Sequence, residues 1–542
     1  MHDKPVHVNL RQGPTSTSST AMTGEPFEVR VAAVLHERES HIPAELRLPE
    51  PLLRSLPANV TQVPHTCGLL TEHELDITDR YDACGLRDAI ARRELSCVEV
   101  ASAFGKRALI AHQVTNCLVD WFLPEALERA RWLDERMAET GRPVGPLHGV
   151  PVSFKDHIPI KGHVVSAGFL STRAIASANA LVVEKLLEAG AVVYVKTHMP
   201  QAVMHMECES YLGATCNPYN TALSSGGTTG GEAALIAMGG SVLGVGSDIG
   251  GSIRSPAGSC GIAGFKPTPR LLSLLGTLAP TPGNNSLVNA IGPLGRSVRD
   301  CELLVETLMH SDQAQRDISL VPLGWAVPRI ELNAARPLRI GVITHDGVMQ
   351  PDGVVQQVMH FAQERLRHVP GIELVPYTPL DAHKAAEMAS SLRAPDGGSM
   401  IREMCAKTGE PLTDVMAWRL SLDTVKQRSI RELWEMQAEL ATYRQAFYDH
   451  WRSLGLDCAL GPFSVVPAAA HRSTTYFFAY TCLWNVHDFP ALVLPTALTA
   501  SACTDAGTYS ELPMCVQLAA RSFDDARLFG LAAALEPRLA RR

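Results

Sequence analysis

The chain has 542 residues, 46 % apolar and 19 % charged, with a formal charge of −8 at neutral pH. This is ordinary globular composition with enough length for a large core, so stability requires neither metal nor disulfide. No lysine- or arginine-rich block offers itself to nucleic acid or an anionic membrane, and 13 scattered cysteines without a C-x-x-C suit reduced thiols in a cytosol.

The N-terminal residues to about 26 are rich in Ser, Thr and Gly and lack both periodicity and the apolar core of a signal peptide. No uninterrupted apolar run approaches the 18 or so residues of a membrane span. The expectation is a soluble, cytoplasmic protein without membrane insertion.

From "YDACGLRDAIARRELSCVEVASAFGKRALIAHQ" the apolar spacing turns helical, with a break at Glu94 to Ser96. "LPEALERARWLDERMAETG" predicts an amphipathic helix stopped by Gly141 and Pro143. "GVPVSFK", Gly149 to Lys155, predicts a buried strand ending in a lysine, and "ALVVEKLLEAGAVVYVKT" predicts helix, glycine stop and strand. "GEAALIAM" reads as a short helix and "SVLGVGSD" as a strand. Further on come a strand at "LRIGVIT", a long helix over "IRELWEMQAELATYRQAFYDHWRSLG", late buried strands at "FPALVLPTAL" and "LPMCVQLAA", and a closing helix. There is no internal repeat, so the reading is one large α/β domain.

The stretch "LSSGGTTGGEAALIAMGGSVLGVGSDIGGSIRSPAG" carries three clusters of paired glycines. Glycine lets backbone N–H groups approach a ligand and form an anion nest. Phosphate is a poor candidate anion, because no G-x-x-x-x-G-K-[ST] occurs and Gly244, Gly246 and Gly250 miss the dinucleotide pattern by one residue. The transient oxyanion of acyl transfer fits better. Ser252 follows Gly250-Gly251, and each correctly aimed donor is worth roughly 3–4 kcal/mol in such a transition state. A serine needs a base. No histidine is singled out by spacing, whereas Lys155, ending a buried strand, can lose its charge through desolvation. Thr228, between glycine pairs, carries a hydroxyl that can relay the proton.

These motifs, "PVSFKDH", "GGTTGGEAAL" and "GSDIGGSIRSPAGSCGIAGFKPT", resemble those of the amidase signature family. "GPLHGVPVSFKD", "AGAVVYVKTHMPQAVM", "NPYN", "IGPLGRSVRD" and "LPMCVQLAARSFDDARL" are similar in place and order, and the region from about 70 to 535 resembles the fungal acetamidase and general amidase branch.

The resemblance implies an α/β fold with a large twisted mixed sheet enclosed by helices. Its catalytic domain would span 91–540, after a flexible extension (1–28) and a helical lead-in (29–90). It implies Ser252 as nucleophile, Lys155 as base and Thr228 where the family has a serine in a cis peptide. The oxyanion hole would be the amides of Ile249, Gly250, Gly251 and Ser252. The reaction would be hydrolysis of a carboxylic amide, with no metal or organic cofactor, and homodimers are common in the family.

Threonine at 228 keeps the hydroxyl but adds a methyl and stiffens χ1. Thr229 replaces the next serine too, which favours retuned chemistry on a specialised amide. The alternative is a weakened amidase fold kept for binding. A transamidase subunit and a membrane-associated lipid-amide hydrolase fit the chain less well.

Met204, Tyr476 and Trp484 are candidate substrate contacts, with Phe477 beside them. Asp248 and Arg254 are expected to tie loops together. His148, His157, His163 and Cys260 are expected to pack.

Overall fold

The computed structural model describes residues 25–473 and 478–540. The start of the chain and Tyr476 and Phe477 lie outside the described residues. A helix already spans Phe27–Ser40.

Eleven strands form one mixed sheet. In chain order they are β1 (Leu118–Trp121), β2 (Pro151–Lys155), β3 (Val192–Thr197), β4 (Leu243–Asp248), β5 (Ala263–Lys266) and β6 (Ala290–Gly295), then β7 (Leu338–Val342), β8 (Ile372–Pro376), β9 (Cys458–Gly461), β10 (Ala491–Thr499) and β11 (Pro513–Ala519). Across the sheet they run β1-β3-β2-β4-β6-β5-β10-β11-β9-β7-β8. Three neighbouring strands, β3, β2 and β4, are parallel, β7 is parallel to β9 and β8, and the remaining pairs are antiparallel. Strands β2, β3 and β4 are buried along their whole length. Burial on both faces fits their mostly apolar sequence, broken by Ser153 in β2, by Lys196 and Thr197 at the end of β3 and by Ser247 and Asp248 at the end of β4.

Helices flank the sheet. The predicted break is real. One helix ends at Ala91, and α1 (Cys97–Thr115) starts on a capping box in which the Ser96 side chain accepts from the Glu99 amide and Glu99 reaches back to Ser96. Helix α2 (Leu123–Thr140) ends on Gly141 at φ 69°, the left-handed cap that glycine favours. Helix α3 (Leu181–Glu188) leads into β3.

Four more helices matter for the site or close the fold: α4 (Gly230–Ala237), α5 (Arg254–Ser259), α6 (Ile430–Ser453) and α7 (Ala479–Val486). The C-terminal helix is α8 (Asp525–Leu539). Among the described residues no helix is long and apolar enough to cross a membrane.

Candidate active site

Lys155 is the last residue of β2, between β3 and β4, and its side chain is fully buried. Its Nζ lies 2.5 Å from Thr228 Oγ1, 3.1 Å from Thr229 Oγ1 and 3.3 Å from Ser247 Oγ. Burial pulls its pKa down to about 7, against the fields of Asp248 and Glu232, which favour the charged form. A large part of the lysine population is therefore a neutral amine at neutral pH.

Thr228 and Thr229 sit in the turn that enters α4, and the Gly227–Thr228 peptide is cis. Gly227 is needed for space, because a Cβ there would collide with the carbonyl oxygen of His205. Both threonines are fully buried. The turn is tied to the next glycine loop by the Thr229 amide, which donates to the Ser252 carbonyl at 3.1 Å.

Ser252 follows β4 in the turn leading to α5. Gly251 has φ +127°, and a Cβ on it would strike Thr481 Oγ1 of α7. The turn is clamped by Asp248. Its Oδ1 accepts from the Gly251 amide at 2.8 Å and its Oδ2 from the Ile253 amide at 3.1 Å.

Arg254 grips the same carboxylate with two bonds of 3.0 Å and also donates to Thr481 O, Asn485 Oδ1 and Gln517 Oε1. The pair is fully buried. Burial alone would raise the Asp248 pKa, but the Arg254 guanidinium holds it well below the usual carboxylate range. The expectation that Asp248 and Arg254 tie loops together is met, and their partners reach into α7 and β11.

The bond from Gly251 bears on the expected oxyanion hole. An amide has a single hydrogen, and that of Gly251 already points at Asp248, leaving Ile249, Gly250 and Ser252 from the expected oxyanion set.

Ser252 is 7 % exposed, whereas Lys155 and Thr228 are at 0 %. It borders a cavity of about 210 Å³ together with Thr228, Ile249, His157, Met204 and Arg393. A smaller recess, also bordered by Ser252, is bounded by His205, Trp418, Phe478 and again Arg393.

Met204 lines the cavity, whereas Trp484 does not. Its ring packs among Phe447, Trp451 and Phe489 in the core. One residue, roughly 100° of helix, separates it from Asn485, which does face the Ser252 turn.

His148 accepts the Val144 amide, His163 stacks on Phe122 at 3.7 Å, and Cys260 is buried. His157 does more than pack. It borders the cavity, and neither ring nitrogen has a hydrogen-bond partner.

Ser247, Glu232 and Arg393 were not singled out from sequence. The first two lie inside or beside the quoted motifs. Arg393 belongs to none, and only the fold brings it here. Among the described residues no three His, Cys, Asp or Glu side chains gather to hold a metal ion.

An amidase family model matches residues 99–529. An amidase of Gibberella moniliformis is 36 % identical over 476 residues, covering 84 % of this chain and 87 % of that protein. The acetamidase of Emericella nidulans is 32 % identical over 457 residues, covering 82 % and 83 %. Among solved structures, a fatty acid amide hydrolase superposes with a TM-score of 0.88 at 29 % identity, covering 94 % of each chain.

Proposed function

Because the chain belongs to the amidase signature family and is an amide hydrolase, we propose that it works through an acyl-enzyme on Ser252, with Thr228 as proton relay and Lys155 as base. Ser252 Oγ attacks the amide carbonyl carbon as its proton passes to Thr228 Oγ1, whose own proton passes to the neutral Lys155 Nζ. The carbonyl oxygen becomes an oxyanion, held by the amides of Ile249, Gly250 and Ser252. Its collapse breaks the C–N bond, and the proton returns through Thr228 to the leaving nitrogen. Water then attacks the acyl ester by the same relay, releasing the acid and restoring Ser252.

The observation that carries this reading is the 2.5 Å contact between Lys155 Nζ and Thr228 Oγ1, in a fully buried space next to Ser252. The added methyl has not drawn the hydroxyl away from the lysine. That weighs against a fold kept only for binding, whose sequence support was the Thr228-Thr229 pair.

The cavity sets His157, Asn285, Asn289 and Arg393 among apolar side chains such as Val203, Met204, Leu274 and Leu287, a mixed lining that supports an amide with both a polar and an apolar part. The test is intact mass after a fluorophosphonate serine probe. One adduct on the wild type and none on Ser252→Ala is expected. Equal labelling or equal amide turnover by the variant would overturn the assignment.

A further inference from the structure

Arg393 stands at the C-terminal end of the helix Ala382–Leu392 and is 8 % exposed. It borders both the large cavity and the small recess, as Ser252 does. Its guanidinium lies over the nucleophile loop, since a Cβ on Gly250 would be 2.9 Å from Arg393 Nη1. Among the described residues no carboxylate pairs with it, and its buried Nε has no hydrogen-bond partner.

The neighbouring charges leave it uncompensated. Asp248 contributes a field, but its two oxygens are already held by Arg254, Asn485 and the loop amides. Arg419, bordering the same recess, is also cationic and is tied to Ser390 Oγ and O at 2.7 Å each. The Arg419 guanidinium thus has a visible structural task, whereas among the described residues no bond of the Arg393 guanidinium shows one. A buried guanidinium stays protonated and is costly without a partner. A carboxylate is the group that fits its planar fork, in a two-point contact.

We propose that Arg393 is a carboxylate subsite, so that this enzyme prefers amides carrying a carboxylate within a few bonds of the scissile carbonyl. The inference rests on Ser252 marking the reacting centre. The carboxylate can belong to the acyl half, as in the monoamide of a short dicarboxylic acid, or to the leaving half, as in an N-acyl amino acid. His157 borders the same cavity and its two ring nitrogens have no hydrogen-bond partner, so it can supply a polar contact for the rest of such a substrate.

Two matched pairs separate the sources. Glutaranilate against pentananilide places the charge on the acyl side, and 2-acetamidobenzoate against acetanilide places it on the leaving side. The expected result is a kcat/KM ratio of about tenfold or more for the charged member of one pair. Arg393→Gln should bring that ratio to about one, and Arg393→Lys, which keeps charge but loses the fork, should retain part of it. Ratios at or below one in both wild-type pairs, or ratios indifferent to Arg393→Gln, would overturn the subsite.

Calorimetric binding of the same four compounds to Ser252→Ala, with and without Arg393→Gln, keeps this test apart from the acyl-enzyme reading. Arg393-dependent preference for a charged member upholds the subsite even if wild type turns none of them over. Equal binding of charged and neutral members removes it even if Ser252 labels. Should Arg393→Gln fail to fold by circular dichroism, Arg393→Lys carries the comparison.

Discussion

Thr228 Oγ1 lies 2.5 Å from Lys155 Nζ, and neither residue is reached by solvent. The methyl that threonine carries at 229 is accommodated by the neighbouring strand. A Cβ on Gly246 of β4 would lie 2.6 Å from Thr229 Cγ2, so glycine there makes room for that methyl. The lysine consequently keeps three hydroxyl oxygens within 3.3 Å.

The hydroxyl at 228, rather than the methyl, should control the rate. Thr228→Ser keeps the relay and should stay within about tenfold of wild type. Thr228→Val matches the shape and removes the oxygen, and should lower kcat/KM by about 10²–10⁴. Amide turnover and the fluorophosphonate labelling rate should fall together. A valine variant as fast as the serine variant would show that Thr228 relays no proton.

The base acts when deprotonated, so activity should rise as pH passes through the Lys155 pKa of about 7 and then level off. Glu232 is buried, with its own pKa raised by burial to about 7, and its negative charge favours protonated Lys155. Glu232→Gln removes that charge and should move the ascending limb to lower pH. A kcat/KM profile of both proteins checks the sign, and a shift to higher pH would contradict it.

Gly251 is the position in the nucleophile turn with least tolerance for a side chain. Its φ of +127° disfavours any L-residue, and a Cβ would collide with Thr481. Gly251→Ala should displace Ser252 and lower the labelling rate by about 10² or more, because small misplacements of reacting groups cost that much. Near-normal labelling would mean that α7 yields easily.

Removing Arg254 should destabilise the whole protein. Arg254→Met leaves the buried Asp248 carboxylate without its cation, and breaking such a pair typically costs about 3–5 kcal/mol. The urea midpoint of unfolding should fall accordingly. The same variant should label poorly, since Asp248 also fixes the Gly251 and Ile253 amides. A midpoint within error of wild type would rule out this bracing role.

Local chemistry is what the amino-acid sequence by itself determined. The helix break before Cys97 follows from Ser96 and Glu99, the stop at Gly141 from its left-handed backbone, and the burial of β2 and β4 from their largely apolar sequence. The family was legible from its glycine motifs, since backbone geometry near Thr228 and Ser252 demands glycine at fixed offsets.

Tertiary structure alone decided what lies across from those motifs. Strand β6 inserts between β4 and β5, Trp484 turns into the core, the Gly251 amide is committed to Asp248, and Arg393 arrives over Gly250 from a helix end 141 residues beyond Ser252. Such contacts depend on which elements pack together. Pairing between distant segments is set by the burial of whole faces, and short-range residue patterns carry no record of it.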